Sequence, residues 1–401
     1  MVDTLRDDLD HPLFPAGDPP RLDADPLLAR LRREPGMHRV RLPYGQATWL
    51  AVRHRDVKAL LTDQRFSRAD AVGPDEPRIL PFIQQANVLL VTDAPEHDRL
   101  RQLLAGAFTV RGVERLRPFT ERTVEELLDA MRQQEAPVDL LAAYALPLPA
   151  LVIAELLGVP AAERQAFRRL ADAFSVPAVF TRTVEELMAQ REELQTYLSQ
   201  LIERKRASPG DDLLSSLIDG GSLTADELLA VAFMLLVAGH EATADQIANL
   251  TYLLLTHPDQ RRELLDRPEQ LPAAVEEMLR FVPSGVATGL PRLATEDVRL
   301  GGVLVRRGEF VMPLMAGANR DEEVFAEPDR LDFARPRPAH FAFGHGVHRC
   351  LGAALARMEL QVAIGALLRR FPDLRLAADV DDIIWCAGGL VRAPVNLPVA
   401  W

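Results

Sequence analysis

Apolar residues recur at helical spacing over most of the chain, in segments separated by Pro, Gly and Asp. Apolar positions three and four residues apart predict amphipathic helices. Helices are predicted at 26–33, 56–61, 93–108, 112–134, 139–157, 161–175, 183–205, 212–218, 224–256, 271–281 and 351–370. Strand-like pieces are short and predict only minor β-structure, at 37–52, 298–300, 303–305 and 309–313.

The longest predicted helix begins at the capping box Thr224-Ala225-Asp226-Glu227 and continues to about Thr256, before His257-Pro258. Some 32 residues at about 1.5 Å each give a length of roughly 48 Å. Because this helix is apolar on most of its faces, we expect it to run through the core.

A second capping box, Asp93-Ala94-Pro95-Glu96, is predicted to start the helix that ends near Phe108. This helix carries His97 and Arg101, which are four residues apart and therefore share a face.

Composition limits the classes of function. The 401 residues include 48% hydrophobic types, which is ample for a large core, and carry a net charge of −12, which argues against nucleic acid as a general partner. Two cysteines, Cys350 and Cys386, imply no disulfide framework, and Cys386 is expected to be an inert buried thiol. The N-terminus has no signal-peptide pattern, and no run reaches the ~18 apolar residues of a membrane span. We therefore expect a soluble cytoplasmic protein.

The most informative stretch is Phe343-Gly344-His345-Gly346-Val347-His348-Arg349-Cys350-Leu351-Gly352. A thiol at a helix N-terminus faces unpaired N–H groups and the positive end of the helix dipole, and both favour the metal-binding thiolate. Gly344 and Gly346 permit positive φ, and Gly352 leaves room for a flat, bulky group. An incidental buried Cys in a turn is the alternative, but six residue types fixed within ten positions argue against it.

This stretch resembles the haem-thiolate loop of the cytochrome P450 family. The order of elements also resembles that family along nearly the whole chain. The resemblance implies a single domain over residues 1–401, mainly α with minor β, in which a long central helix and the Cys-ligand loop enclose haem b. A β-containing part, about 37–65 and 285–315, would pack on the helical part. In the family the Cys is the axial iron ligand, which makes Cys350 the implied metal ligand.

The resemblance also implies which residues hold the haem. Its propionates would be bound by His97, Arg101, Arg292 and His348, and Gly239, Phe343 and Gly344 would lie against the cofactor. Glu277-Met278-Leu279-Arg280 resembles the family's Glu-x-x-Arg helix, although such a pair is common on surfaces and worth little alone. The implied third member is Arg330, in a network that would lock the Cys loop.

The long helix contains Ala238-Gly239-His240-Glu241-Ala242-Thr243, which resembles the family's oxygen-binding segment. Ala242 stands where the family usually has Thr, the residue that organises proton delivery. Either Thr243 supplies the hydroxyl or the substrate's own hydroxyl does, and both stay open. By analogy, the substrate is a hydroxyl-bearing compound such as a macrolactone or another polyketide. Glu241 would be the acid end of the relay, and His240 is expected to be a packed or surface residue.

Position along the chain suggests an apolar substrate surface, although each member taken alone fits ordinary core better than a substrate contact. The predicted contacts are Phe82, Val88, Leu89, Phe174, Val176, Val179, Phe233, Met234, Val237, Val286, Ala287 and Leu290.

The implied function is a haem-thiolate monooxygenase that uses O₂ and electrons from NAD(P)H, delivered by a reductase and a ferredoxin. Arg99, Arg349 and Arg357 are expected to form a positive patch for the ferredoxin, and the protein is expected to be a monomer. Three alternatives stay open: a peroxygenase using H₂O₂, an oxidase of carrier-bound substrates, and a non-catalytic haem-binding or sensor protein.

Overall fold

The computed structural model describes residues 11–15, 21–79, 89–173, 183–283, 290–336, 339–386 and 392–401. The described residues form two compact units. The first comprises those within 1–98, 276–350 and 387–392, and the second comprises those within 99–275, 351–386 and 393–401. The expectation of one domain over the whole chain stays a prediction.

Helices dominate the described residues. In chain order they are α1 (Pro26–Arg33), α2 (His54–Thr62), α3 (Glu96–Ala105), α4 (Val110–Glu114), α5 (Arg117–Arg132), α6 (Pro147–Leu156), α7 (Arg164–Asp172), α8 (Val184–Ala207), α9 (Leu213–Asp219), α10 (Ala225–Thr256), α11 (Pro258–Asp266), α12 (Leu271–Phe281), α13 (Met315–Ala318) and α14 (Ala353–Arg370). A π-helical turn covers Leu141–Ala145, and 3₁₀ turns cover Ala161–Glu163, Pro268–Gln270 and Val380–Asp382.

Strands are short. They are β1 (His38–Val40), β2 (Thr48–Ala51), β3 (Phe66–Ser67), β4 (Val138–Asp139), β5 (Arg292–Ala294), β6 (Val298–Leu300), β7 (Val303–Val305), β8 (Phe310–Pro313), β9 (Arg375–Leu376) and β10 (Pro398–Ala400). The predicted class, mainly α with minor β, is confirmed.

The first unit contains a five-stranded sheet in the order β1-β2-β8-β5-β3. β1 and β2, within the strand-like piece predicted at 37–52, form an antiparallel hairpin, and β2 pairs in parallel with β8, so that Thr48 lies opposite Phe310. β6 and β7 form a separate hairpin. The predicted β-containing part therefore lies in this unit, in a core that includes Leu60, Phe66 and Phe341.

The second unit is organised around α10, which packs against α6, α8 and α14. The predicted capping box is present, because Thr224 accepts a hydrogen bond from the Glu227 N–H and the Glu227 carboxylate accepts one from the Thr224 N–H. By length and hydropathy alone α10 could span a membrane. Half of its most apolar window is buried within the protein, as expected for a core helix.

Three local predictions differ in detail from the structure. The helix predicted at 139–157 is divided into the π-helical turn Leu141–Ala145 and α6, which begins at Pro147 and has Pro149 in its first turn, where a missing N–H costs little. The carboxylate of Asp93, predicted to cap α3, accepts hydrogen bonds from the Ser67 hydroxyl and two backbone N–H groups of that neighbouring segment. The last long helix begins at Ala353, not Leu351.

Candidate functional site

The Cys350 loop is held within the first unit by a short series of hydrogen bonds. The buried Phe341 donates its N–H to Asn319 Oδ1 at 2.7 Å. The Gly344 N–H donates to the Phe341 carbonyl at 2.9 Å, and the Cys350 N–H donates to the Phe343 carbonyl at 2.9 Å. The loop is therefore a closed turn that ends at the exposed Cys350.

Two glycines make this turn sterically allowed. Gly344 and Gly346 have φ values of +66° and +71°, a region that side chains with a Cβ rarely adopt. A Cβ on Gly346 would also lie 2.1 Å from the Leu61 carbonyl oxygen of α2. The loop can approach α2 only because Gly346 has no side chain.

Nitrogen-bearing side chains are buried together beside this loop. His97 and Arg292 are 1% and 7% exposed, and the rings of His97 and His348 have centroids 4.5 Å apart. His348 Nε2 lies 3.6 Å from Asp93 Oδ1, a long contact through which His348 and the carboxylate stabilise one another. His97 Nδ1 lies 3.1 Å from Asp98 Oδ1.

Four nitrogens of this cluster are buried and have no hydrogen-bond partner among the described residues. They are His97 Nε2, both ring nitrogens of His348, and Arg292 Nε. A buried donor without an acceptor costs free energy, so such groups indicate a missing partner. The partner that these nitrogens require carries acceptor oxygens, and a positive guanidinium among them favours an anion.

The electrostatics of the cluster agree with this conclusion. Burial and, to a smaller extent, the neighbouring Arg68 guanidinium lower the pKa of Arg292 to about 10, against the opposing effect of Asp93. Burial and the positive charges of Arg292 and His97 also lower the pKa of His348, against the opposing effect of Asp93. Burial alone would raise the pKa of Asp93, but hydrogen bonds from His348, Ser67 and backbone N–H groups hold it below its usual range. A bound anion would compensate this excess of buried positive charge.

These observations fit the implied haem. Haem propionates would supply the acceptor oxygens that His97, His348 and Arg292 lack, and Cys350 provides a thiol at the end of the same loop. Phe343 and Gly344 lie in that loop, as predicted. Arg101 lies on α3 four residues after His97 and is half-buried. The roles of these side chains toward haem stay predictions.

Glu277 anchors a buried ionic network in the first unit. Its two carboxylate oxygens accept hydrogen bonds from Arg280 Nε and Nη2, both at 2.8 Å. Arg280 Nη1 also donates to the carbonyl oxygens of Asn319 and Pro328, each at 2.9 Å. Because Asn319 also binds the Phe341 N–H, this network fixes the start of the Cys350 loop.

The predicted third member of this network was wrong. The guanidinium of Arg330 pairs with Glu327 at 3.5 Å, its side chain is 65% exposed, and only its carbonyl takes part. Arg335 instead donates its Nε to Glu277 Oε1 at 3.0 Å and is 8% exposed. The chain turns between the two residues, so the later arginine is the one directed at Glu277.

In the second unit, α10 carries the predicted oxygen-binding segment. A Cβ on Gly239 would lie 2.7 Å from Ile153 Cδ1. The close packing of α10 against α6 therefore explains why a glycine occupies this position. Its implied contact with the cofactor stays a prediction. His240 is 2% exposed and lies 3.2 Å from the Leu146 carbonyl oxygen and 3.4 Å from Asp172 Oδ1. This confirms His240 as a packed residue.

The residues after His240 differ in exposure. Ala242 is exposed on α10, Glu241 is half-buried, and Thr243 is 6% exposed. Successive helical residues point about 100° apart, so Thr243 is directed into the interior of the unit while Ala242 lies on an open face. This geometry weighs against Thr243 as a substitute for the family's usual Thr.

Only part of the predicted substrate surface can be placed. Leu89 and Met234 are buried, whereas Phe233, Val237 and Leu290 are half-buried. Phe233 is covered by the Arg191 guanidinium at 5.3 Å. The remaining predicted contacts, Phe82, Val88, Phe174, Val176, Val179, Val286 and Ala287, lie outside the described residues. The substrate assignments stay predictions.

Sequence reasoning missed a buried ion pair and a buried acid. Arg68 donates to Glu76 at 3.0 Å within the first unit, and both side chains are at most 5% exposed. Glu359 on α14 is 1% exposed, and the described residues offer its Oε2 no hydrogen-bond donor. Glu359 occupies a position of α14 where the helical pattern expects an apolar residue, and this could have predicted its burial from the sequence.

Glu359 gives a prediction about stability. Burial raises its pKa to about 8 from an ordinary 4.5, so folding binds a proton between these values and stability falls as pH rises through them. Glu359→Gln removes this cost. We expect its free energy of unfolding, relative to the unaltered protein, to rise by about 1.4 kcal/mol per pH unit across that window.

Urea unfolding between pH 4.5 and 8 measures this difference. Glu126→Gln, at an exposed position of α5, controls for removing a surface charge. A Glu359→Gln difference that stays constant with pH would show that the carboxyl is ionised in the folded protein throughout.

The chain is similar in sequence and in fold to known proteins of one family. The profile of the family described as Cytochrome P450 matches residues 161–385. Nocardicin C N-oxygenase of Nocardia uniformis subsp. tsuyamanensis is 50% identical over 392 residues, which cover 97% of this chain and 98% of that protein. Mycinamicin IV hydroxylase/epoxidase of Micromonospora griseorubida is 48% identical over 367 residues, with 90% and 92% covered. A solved structure of a mutant of the mixed-function P450 MycG with mycinamicin IV has a TM-score of 0.94 at 45% identity, with 98% of this chain and 100% of that chain covered.

Proposed function

Because the chain belongs to the cytochrome P450 family, we propose that it inserts one oxygen atom from O₂ into an apolar, hydroxyl-bearing secondary metabolite. It is a P450 monooxygenase, and its cofactor is haem b. Bound to a cysteine thiolate, haem supplies the oxidising chemistry, because the thiolate pushes electron density onto the iron and favours O–O cleavage. The substrate class and the residue roles below are the proposed part.

The chain's own residues divide the work of holding the cofactor. Cys350 provides the iron ligand, and the glycine turn before it positions the sulfur. His97, Arg101, Arg292 and His348 bind the propionates, which is supported by the acceptor-free nitrogens of three of them. Bidentate or charge-assisted contacts of this kind are the strong ones.

The proposal that the substrate bears a hydroxyl group is supported by one observation: Ala242 is exposed on α10, whereas Thr243 is buried. Oxygen activation requires protons at a site from which bulk water is excluded. Glu241 provides the acid of the relay, and no hydroxyl side chain stands beside it on the open face of α10. A hydroxyl of the substrate fills this role and makes proton delivery depend on the compound that is bound.

This proposal predicts opposite effects at neighbouring positions. With a hydroxyl-bearing substrate we expect Thr243→Ala to retain turnover within about threefold, because its hydroxyl is buried. With the same substrate methylated at that hydroxyl, Ala242→Thr should raise product formed per NADH by about 10-fold or more, within the range of general acid–base effects. Product, NADH and H₂O₂ are measured together, and loss of turnover in Thr243→Ala with retention in Thr243→Ser would instead assign the relay to Thr243.

A binding screen tests the substrate class. Ferric protein is titrated with a panel of macrolides and terpenoids that includes mycinamicin IV, and the type-I spectral shift is recorded. Compounds that bind are converted with a ferredoxin and reductase, and products are identified by the mass of one added oxygen. Equal coupling for a compound and its hydroxyl-methylated form would contradict the proposed role of the hydroxyl.

The second candidate is oxidation at nitrogen, favoured by the 50% identity with nocardicin C N-oxygenase. Incubation with nocardicin C and with mycinamicin IV, followed by fragmentation mass spectrometry, separates the two. Oxygen placed on nitrogen of the former supports this candidate, and oxygen placed on carbon of the latter supports the first.

Electrons are proposed to come from NAD(P)H through a ferredoxin reductase and a ferredoxin, in a monomeric cytoplasmic protein. Of the basic patch that the sequence suggested, Arg99 contacts Glu227 and the Ser222 carbonyl oxygen. The attraction of the proposed patch for an acidic partner should weaken with salt. Turnover with H₂O₂ alone, at the rate reached with ferredoxin, would favour the peroxygenase alternative.

A further inference from the structure

Helix α10 carries a second acid one turn after Glu241. Asp245 is 3% exposed, and its Oδ2 is buried without a hydrogen-bond donor among the described residues. No described Arg, Lys or His forms an ion pair with it. Burial shields this carboxyl from solvent, and no described cation pairs with it, so a negative charge on Asp245 is poorly stabilised.

Asp245 and Glu241 are neighbours on the helix surface. Residues four apart on an α-helix have Cβ atoms about 5–6 Å apart, so their carboxyl groups can meet. Burial raises the pKa of Asp245 well above its ordinary range, and the negative charge of Glu241 raises it further. The half-buried Glu241 and the deeply buried Asp245 are therefore in different environments, which is the usual basis for separate acid and base roles.

Titratable groups on the helices packed against α10 provide no counter-charge for Asp245. His240 and Asp172 of α7 face one another at 3.4 Å. Glu359 of α14 is itself buried, and its raised pKa has burial as its cause. Of the described charged groups, Glu241 is the one that acts on Asp245.

We propose that Asp245 stores a proton and passes it to Glu241 during turnover, acting through Glu241 and not on the substrate. This rests on the proposed role of Glu241 as the acid of the relay. In the transfer, the O–H bond of the Asp245 carboxyl breaks and an O–H bond forms on the Glu241 carboxylate. Asp245 is left as an anion and is reprotonated in the reverse direction by Glu241, whose half-buried carboxyl takes up protons from solvent, and no electrons move.

The competing explanation is that Asp245 has only a structural role in the fold. Asp245→Asn separates the two explanations, because it keeps the shape and a hydrogen-bonding side chain but removes the transferable proton. Asp226→Asn is the matched control, since it removes an exposed carboxylate from the first turn of the same helix.

The test uses the haem-loaded protein with a hydroxyl-bearing substrate, ferredoxin and reductase. We expect Asp245→Asn to keep the carbon monoxide spectrum and the substrate-induced shift, to lose about 10-fold in product per NADH, and to release the balance as H₂O₂. The pH dependence of coupling should flatten and the solvent deuterium isotope effect should change, which a structural role would not cause. Asp245→Glu should restore part of the coupling, and Asp226→Asn should match the unaltered protein.

The pair Glu241→Gln and Asp245→Asn distinguishes the failures. Loss of coupling in Glu241→Gln with an unaltered pH profile in Asp245→Asn would overturn the role of Asp245 and leave that of Glu241. Full coupling in Glu241→Gln would overturn both. If Asp245→Asn does not fold, infrared spectra of Glu359→Gln at neutral pH decide instead, because this variant lacks the other buried carboxyl. A protonated-carboxyl band that remains in this variant supports a proton on Asp245. The absence of such a band would show that Asp245 is ionised and would refute the proposal.

Discussion

Cys350→Ser protein, reduced and exposed to carbon monoxide, is expected to lack the red-shifted Soret band peculiar to thiolate coordination. Serine keeps the size of the side chain but replaces the thiolate, so the electron donation that favours O–O cleavage is lost. We expect monooxygenase turnover to fall by about 10³-fold or more, as when a group on which the chemistry depends is removed.

Cys386→Ser is the control for this experiment. Cys386 is the half-buried second cysteine, in the second unit, and its N–H donates to the Ala393 carbonyl oxygen. The change leaves that backbone bond intact, so the carbon monoxide spectrum and turnover should be retained. A thiolate-type band that survives in Cys350→Ser and disappears in Cys386→Ser would reassign the iron ligand.

Glu277→Gln is expected to cost about 3–5 kcal/mol in the free energy of unfolding. It leaves the guanidinium groups of Arg280 and Arg335 buried without their counter-charge, which is a strongly destabilising change. Because Arg280 also holds the Asn319 carbonyl, and Asn319 binds the Phe341 N–H, the haem content of the purified protein should fall as well.

Two arginine variants test which residue completes this network. Arg335→Ala should destabilise the protein by several kcal/mol, whereas Arg330→Ala, at a 65% exposed side chain, should stay within about 0.5 kcal/mol. Urea unfolding of both variants, combined with Glu277→Gln in a double-mutant cycle, measures the coupling of each arginine to Glu277. Equal coupling for Arg330 and Arg335 would contradict the observed geometry.

Regular helices were predictable from the sequence because their determinants are local. The capping box at Thr224 and the apolar period that follows it predicted α10 to within a residue of its observed ends. The Cys350 loop was predictable for a related reason, since glycines at positive φ and the cysteine occur within ten residues. His240 was likewise interpreted correctly, as a packed residue.

Irregular segments were harder to predict because the path of the chain decides which side chain reaches a partner. Arg330 and Arg335 lie in one loop without periodicity, and nothing local distinguishes the buried arginine from the exposed one. Asp93 has the spacing of a capping residue, yet tertiary contacts with the segment at Ser67 take up its carboxylate. Asp245 had a readable signal, an acid four residues after Glu241 on an otherwise apolar helix, which was overlooked.

The parallel pairing of β2 with β8 constrains how the protein is made. Thr48 lies opposite Phe310, so the central strands of the first sheet are about 260 residues apart in the chain. At typical rates of synthesis, the ribosome needs roughly 13–50 s to add the residues that separate them. During that interval the β1–β2 hairpin lacks its neighbour, and its open edge is the part of the nascent chain that a chaperone has most reason to cover.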